Sequence, residues 1–87
     1  MKIKGLYLDY IKARDAANVA EEAYVREPEN ESLEQAFDEA YTKESHALYA
    51  LIDEVVSLTS GAINRKTARQ MIVSREDDFR AIMARIA

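Results

Sequence analysis

Cysteine is absent from this chain, and with it disulfides and thiolate metal sites. A single histidine, His46, leaves little material for an imidazole-based metal site. No apolar run approaches the ~18–20 residues needed to cross a bilayer. The opening Met1-Lys2-Ile3-Lys4-Gly5 does not read as a secretory leader. A cytoplasmic protein without cofactor or metal is therefore expected, with no membrane partner. Only two glycines and one proline punctuate 87 residues, so few points exist at which the chain can turn. No glycine-rich loop is present to cradle a phosphate.

What remains favours helix. Hydrophobic residues make up 48% of the chain, too many for a disordered segment. They recur at spacings of three and four, with no period-2 alternation. Glu27-Pro28-Glu29-Asn30 makes the first break, because proline inside a helix removes a hydrogen bond. Ser32 with Gln35 reads as a capping box for the next helix, with Asn30 as the rival cap. Ser60-Gly61 makes the second break, Gly61 being suited to a left-handed C-cap. Asn64 then caps a further helix, and Ser74 with Asp77 offers one more start.

The expected fold is all-α: a long antiparallel helical hairpin with one or two shorter C-terminal helices packed on it, a small helical bundle in one domain. The first helix covers about residues 3–26, the second about 32–59 and the C-terminal segment about 64–86. Along the first helix, Ile3, Leu6, Tyr10, Ala13, Ala17, Ala20 and Tyr24 keep one face. Its alanine-rich middle lets a partner backbone approach closely. The second helix carries Leu33, Phe37, Ala40, Tyr41, Leu48, Leu51, Val55 and Leu58. Tyr49, Ile52 and Val56 form a side stripe for the C-terminal segment to cover. That segment has its own stripe, Ala68, Ile72, Phe79, Ile82, Met83 and Ile86. A break near Val73-Ser74 is favoured over one continuous helix.

Charge is uneven. Residues 1–60 hold 6 basic and 13 acidic side chains, whereas residues 61–87 hold 6 basic and 3 acidic. Carboxylates crowd the turn between the two long helices. Acid–base catalysis needs carboxylates held in a cleft with shifted pKa values, and no such cleft is implied. A nucleophile needs a base and an orienting group, and His46 falls opposite the apolar stripe. The chain therefore reads as a non-enzymatic protein-interaction module. An accessory factor, regulator or inhibitor from a phage or mobile element fits this description.

Glu31, Glu34, Asp38 and Glu39, with the outward-facing Leu8 and Val19, are the candidate partner-binding residues. The expected partner is a protein with a basic surface, and a second copy of the chain is the other candidate. The rival reading is a small DNA-binding regulator. It would use Arg65, Lys66, Arg69 and Arg80 on the segment 63–86, which has the outline of a helix–turn–helix. Glu76, Asp77 and Asp78 oppose it, since they would repel phosphate at the start of the recognition helix. Finally, Glu44 interrupts the apolar stripe of the second helix. Folding the hairpin about position 29 sets Arg14 opposite it, so Arg14 and Glu44 are expected to form a buried ion pair, with Arg75 as the competing cation.

Overall fold

A computed structural model describes residues 2–85, with side chains described through Ala81. Ile86, and the side chains of Ile82 and Met83 in the expected C-terminal stripe, lie outside what is described. Four helices follow in order: α1 (Lys2–Arg26), α2 (Glu31–Leu58), α3 (Arg65–Val73) and α4 (Glu76–Arg85). No strand occurs among the described residues. No helix among them is long and apolar enough to cross a membrane.

Local chemistry sets the boundaries. Pro28 occupies the second position of a tight turn closed by the Asn30 amide, which donates to the Glu27 carbonyl at 3.0 Å. Asn30, rather than Ser32, then caps α2. Its side-chain oxygen accepts from the amides of Ser32 at 3.0 Å and Leu33 at 3.3 Å. The short amide side chain reaches two otherwise orphaned donors at once, and Ser32 already lies inside the helix. At the far end, the Thr59 hydroxyl donates to the Val55 carbonyl at 3.0 Å. The Gly61 amide closes back onto Val56 at 3.0 Å, with Gly61 at φ +83°. Ser60 is also left-handed, at φ +53°, so the chain reverses through two such residues in a row. Asn64 caps α3 through the Thr67 amide at 2.8 Å.

The C-terminal segment does break. Ser74 ends α3 instead of starting α4. The first turn of α4 closes on the Arg75 carbonyl, which accepts from the Phe79 amide at 3.0 Å.

The long helices pack antiparallel. Lys2 reaches Glu54 at 3.4 Å near the open end, and Tyr24 stacks on Phe37 at 5.8 Å near the turn. The core gathers at the open end: Ile3, Tyr7 and Tyr10 from α1, Leu48, Leu51, Ile52 and Val55 from α2, Ala68 and Ile72 from α3, and Phe79 from α4. At 1.5 Å per residue the long helices run roughly 37–42 Å, whereas α3 and α4 span only about 14–15 Å each. The short pair therefore covers only part of the hairpin. The overall extents, 46 × 21 × 21 Å, reflect that elongation.

Two expected core positions are exposed. Tyr41 is 59% exposed and Leu58 53% exposed, one lying toward the turn and the other in the last turn of α2. Of the side stripe, Ile52 is buried and Val56 half-buried, while Tyr49 keeps 50% of its surface in solvent.

Candidate docking face on the distal hairpin

From about Ala17 to Glu44 the hairpin has only two layers. Ala17 is its one fully buried residue among those described, at 3% exposure. Beyond it, Ala20, Ala23, Tyr24, Leu33, Phe37 and Ala40 are half-buried. Tyr24, Phe37 and Tyr41 form a row of tilted rings, with centroids 5.8 and 6.2 Å apart. Such pairs hold one another in place without needing a third helix. Two helices alone cannot enclose side chains of this size, so the rings stay partly in solvent.

Carboxylates surround this region. Nine acidic and two basic side chains lie between residues 18 and 44. Glu31, Glu34, Asp38 and Glu39 are all exposed on the first turns of α2. Glu31 and Glu34 also stand where the positive end of the helix dipole favours them. Glu39 accepts from the Gln35 amide at 3.4 Å. Leu8 and Val19 are exposed, at 63% and 68%. They are three helical turns apart, about 16 Å along α1, so they do not form one patch.

The four candidate nucleic-acid contacts divide. Arg65 pairs with Asp53, and Arg80 pairs with Glu76 at 2.9 Å. Lys66 and Arg69 are exposed on α3 without an ion pair among the described residues. The first turn of α4 carries Glu76, Asp77 and Asp78, with Arg75 bonded to Asp78 at 3.0 Å. His46 is exposed on α2, and no metal-capable cluster occurs among the described residues.

The expected Arg14–Glu44 ion pair does not form. Arg14 turns instead to Glu76, with Nη1 at 2.6 Å from Oε1, and lies over the Tyr10 ring at 5.9 Å. Glu76 also accepts from Arg80, so it is clamped between two guanidiniums. This clamp fastens the start of α4 to α1. Hydrogen bonding to Arg14 is the main reason the Glu76 carboxyl sits below its ordinary value, and it likewise raises Arg14. The competing cation, Arg75, is occupied by Asp78. The hairpin register was near enough to bring Arg14 within electrostatic reach of Glu44. What it lacked was the position of α4, which supplies a better-placed acid.

Glu44 is left half-buried with no cation within 4.0 Å among the described residues. Burial raises its carboxyl, Arg14 partly offsets that, and Glu21 adds to it. Burial also raises the neighbouring Tyr10 hydroxyl, with Glu44 the next cause. Glu44 forms part of a notch of about 160 Å³ between α2 and α3, with Tyr10, Tyr41, Tyr49, Arg69 and Val73. This grouping was missed in the sequence because the tyrosines read as core and Arg69 as a phosphate contact.

Two predictions arise from these charges. Arg14→Met and Glu76→Gln should each destabilise the protein at pH 7 by about 1–2 kcal/mol, since each removes the charge-assisted contact that ties α4 to α1. The double variant should lose less than the sum by about 0.5–1.5 kcal/mol, read by urea denaturation; additivity would mean the clamp carries no coupling. The two carboxyls should also act oppositely with pH. Glu76, lowered on folding, contributes stability above its unfolded pKa that is lost as pH falls through the folded value. Glu44, raised on folding, favours the fold below its unfolded pKa, and that contribution is lost as pH rises through the folded value. Glu44→Gln should therefore be neutral or stabilising at pH 7, by less than about 1 kcal/mol, with no gain at pH 3. Clear destabilisation at pH 7 would contradict this assignment.

No protein-family model, curated protein or solved structure matches the chain.

Proposed function

We propose that this chain is a non-enzymatic helical interaction module that docks a basic partner protein on the distal half of its hairpin. The observation that carries the reading is the aromatic row Tyr24, Phe37 and Tyr41, left partly in solvent where α3 and α4 no longer cover the hairpin. Apolar and aromatic surface of this kind gives affinity on burial. The surrounding carboxylates select the sign of the partner and speed encounter. They also disfavour pairing of two such tips, since a second copy would bring like charges together. An amphipathic helix with apolar anchors and lysine or arginine flanks is the occupant that meets both requirements.

The rival reading, DNA binding through α3 and α4, rests on Lys66 and Arg69 once Arg65 and Arg80 are paired. Fluorescence anisotropy separates the two. A labelled leucine–lysine amphipathic peptide should bind in the micromolar range, about 1–50 µM. Part of that affinity should persist at high salt, where surface electrostatics are screened. Phe37→Ala and Tyr24→Ala, with helicity checked by circular dichroism, should each weaken it by about 5- to 10-fold. A labelled mixed-sequence duplex should bind far more weakly at low salt. Tight duplex binding that falls steeply with salt, with no peptide binding, would overturn the proposal.

A further inference from the structure

We propose that the notch between α2 and α3, lined by Tyr10, Tyr41, Glu44 and Tyr49 among others, receives a single lysine or arginine side chain of the docked partner. The inference deepens the docking reading and rests on it.

Glu44 lacks an ion-pair partner among the described residues. It is half-buried and breaks an otherwise apolar stripe. Arg14, the α1 cation whose charge reaches Glu44, is committed to Glu76 at 2.6 Å. A carboxylate partly withdrawn from water is stabilised by an opposite charge brought to it; Arg14 spends its charge on Glu76, and Arg69 of the same notch makes no ion pair with Glu44. Three tyrosines, Tyr10, Tyr41 and Tyr49, line the notch. Aromatic surface packs against the aliphatic stem of a lysine or arginine, and the face of an aromatic ring attracts an ammonium or guanidinium. A volume of about 160 Å³ is well short of the roughly 300–1,000 Å³ of a small-molecule site, and suits one inserted side chain. Tyr41 belongs both to the notch and to the distal aromatic row, so a helix lying on the row reaches the notch with one side chain.

Arg69 also lines the notch. As a cation it opposes a second one, so it tunes the site downward. Its removal should strengthen binding, whereas a ligand held through a carboxylate would be weakened by the same change.

The test uses amide chemical shifts of the whole chain titrated with n-butylguanidinium chloride, against neutral n-butylurea as control. Saturable shifts at Tyr41, Glu44, Ser45, Tyr49 and Val73 are expected with the guanidinium and not with the urea. Glu44→Gln should weaken the binding at least about fivefold, and Arg69→Ala should tighten it about two- to threefold. Shifts spread evenly over Glu22, Glu27, Glu34 and Asp38, or an unchanged titration in Glu44→Gln, would overturn the proposal. The leucine–lysine peptide distinguishes this failure from failure of docking. If Phe37→Ala weakens the peptide and Glu44→Gln does not, docking stands and the notch assignment falls. If butylguanidinium binds at Glu44 and the peptide does not bind at all, the cation site stands and the docking reading falls.

Discussion

Phe79→Ala should lower the unfolding free energy by about 3–5 kcal/mol, the largest effect expected of any single truncation in this chain. Phe79 is 2% exposed and is the buried apolar side chain of α4 among those described. Its ring meets Tyr7 of α1 at 5.3 Å and 59°. A ten-residue helix has little stability of its own, so its order comes from this contact and from the Glu76 clamp. An 87-residue domain has a total stability of roughly 4–13 kcal/mol, so the change takes a large fraction of it. Urea denaturation would show the midpoint falling steeply. A loss under about 1 kcal/mol would mean that α4 is not part of the core.

Ala17→Leu should cost about 1–3 kcal/mol by overpacking, while Ala20→Leu should cost less than about 1 kcal/mol. The two alanines lie one turn apart on α1 and look alike in the sequence. Ala17 is 3% exposed and Ala20 only half-buried, because the seam between the helices loosens toward the turn. For a domain of this length each kcal/mol corresponds to about 4–8 °C in Tm, so thermal melts resolve the difference. Equal shifts for the two would show that the distal hairpin is as tightly closed as the rest.

The same gradient explains what could be read before any coordinates. The four boundaries were legible because each falls at a local punctuating residue: Pro28, Gly61, Asn64 and the break beside Ser74. Asn30 against Ser32 was a choice between two adjacent caps, decided by which amides each side chain can reach. Hairpin pairing followed from the stripes and the short link between the long helices.

Periodicity did not say how far the short helices extend over the long ones. Tyr41 and Leu58 share the stripe that buries Leu48, Leu51 and Val55, and a helical pattern alone cannot tell a covered face from a bare one. Arg14 illustrates the second limit. Its partner, Glu76, is 62 residues away, and no spacing rule links them. The notch around Glu44 belongs to the same class, since it exists only once α3 lies beside α2.

If the bare hairpin face is a docking surface, binding must map to it. The direct measurement is a residue-by-residue map of amide shifts on titrating the leucine–lysine amphipathic peptide into the intact protein. Saturable one-to-one binding is expected, with the perturbed residues running from Ala20 and Tyr24 through Phe37 and Tyr41 to Glu44, Tyr49 and Val73. The face of α1 around Leu8, and Lys66 on α3, should be unmoved. Perturbations that never saturate, or that follow every exposed carboxylate regardless of the aromatic row, would contradict it.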